Sequence, residues 1–211
     1  MKIFKEFVSE ESEEKPFKKT IKAYKLFRTH PDHPGKLFPL FVHADKPVET
    51  GKWIKAEAGP TGKKDGMVKS KLGDLAYRPG WHSGDLSIAT HIGGKSNPSL
   101  KKPDYRPDHH VWAEVEHPDD HDWQSVANSR AKITKSGKPN AATAHITDQV
   151  PYNGHYRYKT NPNMTGNWII SGNMKVNRVL SDDEVKSIND KHGVADLPRL
   201  PKDQNNKKNK D

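Results

Sequence analysis

The chain contains no cysteine among its 211 residues. This absence excludes disulfide bonds, zinc sites built on thiolates and thiol nucleophiles. The sequence also lacks an apolar run of about 18 residues, the length that a membrane-spanning helix requires. Its first residues, Met1 to Lys5, lack the apolar stretch of a signal peptide. We therefore expect a cytoplasmic protein with no membrane partner.

Apolar residues are scarce, whereas positive charge is abundant. Hydrophobic residues make up 31% of the chain, the formal net charge is +9 and the sequence pI is about 9.5. The low apolar content predicts a small core with long polar loops. The basic charge favours an anionic partner, either a nucleotide or nucleic acid. The alternative is that charged tails, such as residues 207–210, carry much of the excess positive charge and that no anionic partner is needed.

The order of apolar runs predicts an α+β fold with a mostly antiparallel sheet, long loops and few short helices. We expect a mobile charged arm over residues 1–20, a single α+β domain over 21–195 and a disordered basic tail over 196–211. The predicted strands are Tyr24–Arg28, Leu37–Val42, 48–57, His110–Glu116, Asn167–Ile170 and Met174–Leu180. The predicted loops are 59–74, 93–108 and 134–165, with one or two helical turns at 86–91 and a short helix within 119–130.

A C-terminal helix has clear start and stop signals. Ser181 stands three residues before Glu184, which is the spacing of a capping box. Gly193 follows His192 and provides a stop signal at the other end. The sequence thus predicts a helix from Ser181 to Gly193.

A glycine-rich segment over residues 77–94 combines aromatic rings with cationic and imidazole side chains. Glycine lets the backbone approach a ligand closely, and Arg or His beside it can bind a phosphate while Trp or Tyr stacks on a ring. The candidate ligand-binding residues are Tyr77, Arg78, Trp81, His82, Ser83 and His91. The alternative is an ordered loop in which Trp81 fills part of the core.

Two glutamates on the clearest strand are candidate catalytic residues. Glu114 and Glu116 are two positions apart, so both point to the same face of the sheet. Paired carboxylates can polarise a hydroxyl group or act as a general base, and His82 is the third catalytic candidate. The alternative for the two glutamates is a solvated strand face.

Histidine is dense between residues 82 and 155. His117 and His121, with nearby aspartates, resemble metal ligands, but Pro118 between them weakens the pairing, and we predict no metal site. A second alternative is metal-free RNA cleavage by His145 or His155 beside cationic side chains.

A later segment alternates aromatic and basic residues. Tyr156, Arg157, Tyr158 and Lys159 form a pattern that suits single-stranded nucleic acid, because rings stack on bases while cations follow the backbone. The same alternation also fits a hairpin strand without a ligand.

Several segments together resemble a small, largely uncharacterised family of phage and mobile-element proteins. The segments that carry this resemblance are 23–28, 39–41, 51–54, 77–82, 111–116, 167–170 and 174–180. The resemblance implies an accessory protein in the cytoplasm of a bacterial host, and no chemistry.

The order of these segments is also similar to the ADP-ribosyltransferase fold. Arg28, which the resemblance makes a further candidate ligand-binding residue, matches that family's first position. Tyr77 or His82 matches the second, and Glu114 or Glu116 the catalytic glutamate. The family's Ser-Thr-Ser triplet is absent. The resemblance implies NAD as the cofactor.

Three functional hypotheses follow. The first is a phage or mobile-element accessory protein whose pocket binds an anionic ligand, a nucleotide such as NAD, with ADP-ribosyltransferase-like activity. The second is a non-catalytic basic module that binds nucleic acid or a host or virion protein. The third is a structural, virion-associated protein.

Overall fold

An eight-stranded sheet dominates the computed structural model, which describes residues 16–63, 67–71, 73–130, 149–160 and 163–200. Its strands are β1 (Thr20–Arg28), β2 (Trp53–Lys55), β5 (Trp81–Gly84), β6 (His110–Pro118), β7 (His121–Asp122), β8 (Gly154–Tyr158), β9 (Trp168–Ser171) and β10 (Asn173–Val179). A separate hairpin comprises β3 (Met67–Ser70) and β4 (Gly73–Ala76), and the helices are α1 (Gln124–Ser129) and α2 (Asp182–His192). The strand order is β2-β10-β6-β1-β5-β9-β8-β7, with only β7 and β8 parallel. The predicted mostly antiparallel sheet is confirmed.

Strands β1 and β6 form the centre of the sheet. They pair along their whole length, from Thr20 opposite Pro118 to Arg28 opposite His110. Alternation along β6 buries Ala113 and Val115 completely, while the side chains between them face the other side. The period-two pattern of the sequence therefore predicted this strand and its two faces correctly.

The sheet curls on itself to form a small barrel-like ring. β10 pairs with β6, β6 with β1, β1 with β5, and β5 with β9. Only Gly172 separates β9 from β10 in the chain, so the last strand of this series is joined directly to the first and the series of five strands closes into a ring. At this corner a Cβ on Gly172 would lie 2.0 Å from the Pro151 carbonyl oxygen, so a side chain does not fit. The core cluster of this ring contains Ala23, Phe27, Leu37, Val48, Ala113, Val115, Ile169, Met174 and Val176.

Helix α2 covers the outer face of β1 and β6. Leu180 and Val185 pack there against Leu26 and Trp112. The predicted capping box is present, because the Ser181 hydroxyl accepts from the Glu184 amide and the Glu184 carboxylate accepts from the Ser181 amide. Gly193 ends the helix in the left-handed region at φ 63°. The predicted C-terminal helix is confirmed, and neither helix of the described residues has the length and apolar content needed to cross a membrane.

Three local predictions differ from the structure. Residues 37–42 form only isolated bridges, Arg28 to Phe38 and Leu37 to Val48, because Pro39 interrupts any longer pairing. Residues 86–91 form turns and no helix. The predicted loop over 59–74 contains the β3–β4 hairpin, whose turn depends on Gly73 at φ 103°.

The predicted arm and tail extend beyond the described residues, which begin at 16 and end at 200. Phe17, within the predicted arm, is buried, with its ring centroid 4.6 Å from that of Trp53. Near the other end, the Asp196 carboxylate pairs with the buried guanidinium of Arg106 at 2.5 Å. The folded domain therefore extends past both predicted boundaries. The predicted loop over 134–165 is wrong at Gly154–Tyr158, where β8 pairs with β9. Residues 134–148 and 161–162 of this segment lie outside the described part.

Candidate functional site

A cleft of about 680 Å³ opens where β1 and β5 separate. In the described residues a single pair, Tyr24 with Gly84, joins these strands. Beyond it the Lys25 side chain, rather than the backbone, reaches β5: its Nζ donates to the His82 carbonyl at 2.6 Å. The cleft is lined by residues 24–26, 39–43, 46–48, 54–57, 59, 68, 75–83, 89, 91, 92, 112, 158, 160 and 168. Its volume is within the range of small-molecule sites, roughly 300–1,000 Å³.

The turn before β5 places Tyr77 and Arg78 on the cleft. This turn requires Gly80, which has φ 145° and whose added Cβ would lie 2.3 Å from Ile170 Cγ2. The Trp81 indole N–H then donates to the Ile54 carbonyl at 2.7 Å and joins β5 to β2. Gly80 therefore determines the backbone path that brings the predicted ligand-binding segment to the cleft.

Arg78 presents a guanidinium group without a carboxylate partner among the described residues. Its Cζ lies 5.3 Å from the ring centroid of Tyr158, a cation–π distance. Its Nε is buried and has no hydrogen-bond partner in the part of the chain described. The same is true of Nε2 of His43, another residue of the lining. Two polar groups of the lining thus retain unused hydrogen-bonding capacity.

His82 is neutral in this site. Its Nε2 lies 2.9 Å from the Arg78 carbonyl oxygen, which only accepts, so Nε2 carries the proton and Nδ1 keeps its lone pair. Burial lowers the pKa of His82 to about 4, and the charges of Lys25 and Arg78 add to this effect. At neutral pH the imidazole therefore acts as a hydrogen-bonding group without charge.

Lys25 is a cation in largely apolar surroundings. Burial lowers its pKa to about 8. Its Nζ lies 5.6 Å from the ring centroids of both Phe27 and Trp81, and no carboxylate of the described residues pairs with it. Sequence reasoning missed this residue. The available signal was alternation, because Ala23, Lys25 and Phe27 share one face of β1 and the other two are fully buried.

Ser83 and His117 form a buried polar pair beside the cleft. Ser83, which is part of the lining, has its Oγ 2.6 Å from His117 Nε2. His117 Nδ1 lies 2.9 Å from the Asn173 carbonyl oxygen, so Nδ1 carries the proton and Nε2 accepts from the serine. Burial lowers the pKa of His117 to about 3. This histidine is neutral and part of the ring interior, while His121 is exposed on β7.

The candidate metal set is not assembled. No group of three or more histidines, aspartates or glutamates in the described residues has the spacing to hold a metal ion. The suggested nuclease histidine at position 145 lies outside the described residues.

The two candidate catalytic glutamates do not lie on the cleft, which corrects the expectation that they join His82 there. Glu114 lies 3.0 Å from Lys22 Nζ, and Glu116 lies 2.9 Å from Lys175 Nζ. Their spacing does place them on one strand face, as predicted. Glu116 is paired opposite Lys22, and Glu114 is paired opposite Tyr24, which itself lines the cleft. Cationic side chains contact both glutamates. Both glutamates form ion pairs and are only partly exposed, at 13% for Glu114 and 27% for Glu116, so the alternative of a solvated face does not describe them fully either.

Arg28 acts behind the cleft wall rather than on it. One of its guanidinium nitrogens donates to the Ala44 carbonyl at 2.8 Å, and its Cζ lies 5.9 Å from the Phe38 ring centroid. Both contacts hold the segment that contributes residues 39–43 to the lining. Arg28 is therefore not among the residues that line the cleft, and its role in binding a ligand stays a prediction.

The remaining ligand candidate, His91, does line the cleft. Its ring centroid lies 5.5 Å from that of Trp168 in an edge arrangement, and burial lowers its pKa. Six predicted residues are therefore brought together at this cleft, namely Tyr77, Arg78, Trp81, His82, Ser83 and His91.

The expected stacking platform at residues 156–159 is not available in the structure. Tyr156 and Tyr158 are buried against Trp123 and Ile170, because alternation along β8 directs both rings into the core. Arg157 is exposed, and Lys159 Nζ donates to the Met164 carbonyl at 3.0 Å. The segment forms strand β8, as the alternative expected, and Tyr158 also lines the cleft. Nucleic-acid binding by residues 156–159 stays a prediction.

We compared the chain with known proteins in three ways. No protein-family model, no curated protein and no solved structure matches it.

Proposed function

We propose that the cleft binds an anionic ligand with an aromatic ring, of the nucleoside phosphate class. The observation that carries this proposal is the pair of cations, Lys25 and Arg78, that line the cleft without a carboxylate partner among the described residues. Burying a charge without a counter-ion is costly, and an anionic ligand supplies that counter-ion. The formal net charge of +9 also favours approach of an anion.

The cleft also offers the contacts that an aromatic base requires. Tyr77, Trp81 and Trp168 contribute aromatic surface to its lining, and His82 and Ser83 contribute polar groups. Small-molecule sites combine mostly apolar walls with a few polar groups that fix orientation. A nucleotide uses both, since its base stacks on rings and its phosphate accepts from guanidinium and ammonium groups.

ADP-ribosyl transfer is the chemistry implied by the family resemblance, and it stays a second proposal with a changed residue. Glu57 is the acidic residue among the described lining residues, and its Oε2 lies 3.2 Å from Lys46 Nζ. It replaces Glu114 and Glu116 as the candidate carboxylate. We expect Glu57→Gln to abolish any NAD hydrolysis while ADP still binds. Undiminished hydrolysis in this variant would remove Glu57 from the mechanism.

Isothermal titration with ADP and with adenosine tests the binding proposal. Hydrogen bonds to charged groups contribute about 1.5–3 kcal/mol, which corresponds to a tenfold to hundredfold change in affinity. We expect Arg78→Gln to weaken ADP binding by that factor and to leave adenosine binding nearly unchanged.

Arg157→Gln is the matched control, because Arg157 is exposed on β8 and absent from the cleft lining. This variant keeps the wild-type affinity for ADP. Equal losses in the Arg78 and Arg157 variants would indicate nonspecific attraction by surface charge. Absence of ADP binding in the wild-type chain would refute the proposal.

A further inference from the structure

Lys25 has the environment of a reactive amine. It lies on the interior face of β1, lines the cleft and has no charged partner among the described residues. We propose that Lys25 forms an imine with an anionic aldehyde or 2-oxo acid bound in the cleft. The amine chemistry is independent of nucleotide binding, whereas recognition of the ligand's anionic group rests on the proposed function.

The geometry places an anion-binding group near the amine. Lys25 Nζ donates to the His82 carbonyl at 2.6 Å, and His82 Nε2 donates to the Arg78 carbonyl at 2.9 Å. The charges of Lys25 and Arg78 both lower the pKa of His82, so both cations lie near this side chain. A small ligand can present its carbonyl carbon to Lys25 and its phosphate or carboxylate to the Arg78 guanidinium.

Burial favours the neutral, nucleophilic form of this amine. With its pKa lowered to about 8, about one-tenth of Lys25 is neutral at pH 7. A lysine with the ordinary value of 10.5 is neutral in roughly one molecule in 3,000. Desolvation in an apolar pocket is one of the established ways to activate a lysine amine.

Other lysines of the fold provide internal comparisons. Lys46 also lines the cleft, but its Nζ lies 3.2 Å from the Glu57 carboxylate. Lys22 is three positions before Lys25 on the opposite face of β1, 3.0 Å from Glu114, which raises its pKa. Lys46 is held in an ion pair and the pKa of Lys22 is raised, so we expect both lysines to react more slowly than Lys25.

The reaction is balanced without an oxidant. The neutral Lys25 nitrogen adds to the carbonyl carbon, and the carbonyl oxygen takes a proton to give a carbinolamine. Loss of the hydroxyl group with a further proton, as water, leaves a C=N bond between ligand and lysine. Borohydride added from outside donates hydride to that bond and leaves a stable secondary amine.

The test uses the full chain with pyridoxal 5′-phosphate, an aromatic aldehyde with a phosphate, and with pyridoxal, which lacks the phosphate. After borohydride reduction, peptide mass spectrometry measures the modified fraction at each lysine against time and pH. We expect Lys25 to be modified at least tenfold faster than Lys46 or Lys22, with a rate that rises through pH 8. We expect Lys25→Met to lose this fast phase and Lys22→Met to keep it.

The outcomes separate this inference from the proposed function. Fast modification of Lys25 by the phosphate probe alone supports both the reactive amine and an anion-binding group beside it. Equal rates with both probes support the reactive amine and contradict the anion-binding group. Modification spread evenly over the lysines with either probe would overturn the inference, even if ADP binds.

Discussion

The buried ammonium of Lys25 makes a prediction about stability that requires no ligand. Burial lowers its pKa from 10.5 to about 8, so the unfolded chain binds the proton more tightly than the folded chain does. Each pKa unit corresponds to about 1.4 kcal/mol, so protonated Lys25 costs the folded state about 3 kcal/mol at neutral pH. The full penalty is therefore present below about pH 8, and the folded state becomes more stable as pH rises from 8 toward 10.5.

Lys25→Met tests this directly, because methionine keeps an apolar stem of similar shape and removes the charge. The variant loses the hydrogen bond from Nζ to the His82 carbonyl, worth about 1 kcal/mol. We expect a net gain of about 2 kcal/mol in the free energy of unfolding at pH 7. At pH 10 the folded amine is largely neutral but the unfolded amine is still mostly protonated, so about 0.8 kcal/mol of the penalty remains and we expect the variant and the wild type to be about equally stable.

Urea denaturation followed by tryptophan fluorescence at pH 7 and pH 10 measures both values. Lys22→Met is the control, because its surface ion pair with Glu114 contributes less than about 1 kcal/mol and gives no gain at pH 7 that disappears at pH 10. A Lys25→Met variant that is less stable than wild type at both pH values would refute the reasoning. A difference that does not depend on pH would refute it equally.

Three further predictions concern the scaffold. Burial lowers the pKa of His117 to about 3, so its contribution to stability is present above about pH 6.5 and is lost as pH falls toward 3. The stability of His117→Asn should therefore fall less steeply with decreasing pH than that of wild type. His192→Asn, on the exposed end of α2, is the control and should behave like wild type. Asp196→Asn leaves the buried Arg106 guanidinium without its carboxylate and should cost about 3 kcal/mol in urea denaturation, whereas an unchanged midpoint would contradict the role of this ion pair. Ser181→Ala removes the capping box and should lower the stability by about 1 kcal/mol, which thermal denaturation checks, while Ser181→Asp should largely restore it.

Local chemistry made parts of this fold predictable. The Ser181 capping box and Gly193 specify α2 through short-range hydrogen bonds, and alternation specifies β6. Ring closure was not predictable, because it depends on long-range pairing and on a corner at Gly172 that one glycine in the sequence does not reveal. The β3–β4 hairpin was missed because lysines and glycines around it give the composition of a loop.

The site residues, too, were predictable where the signal is local in the sequence and were missed where it depends on long-range packing. Glycine, aromatic and cationic residues that are close together in sequence led to the prediction of a ligand-binding segment. The candidates in it, Tyr77, Arg78, Trp81, His82 and Ser83, all line one cleft. Glu114 and Glu116 were correctly placed on one face, but spacing alone does not tell a catalytic face from an ion-paired one. Lys25 was overlooked because its importance comes from burial, which depends on the strands around it.

A titration with ADP at physiological ionic strength, followed by backbone amide NMR, tests the central claim most directly. The account predicts saturable chemical-shift changes concentrated at residues 76–84 and at Lys25, with smaller changes at the strand positions of β6 and β10. Changes spread over the basic surface, changes centred on residues 154–157, or no changes at millimolar ADP would contradict it.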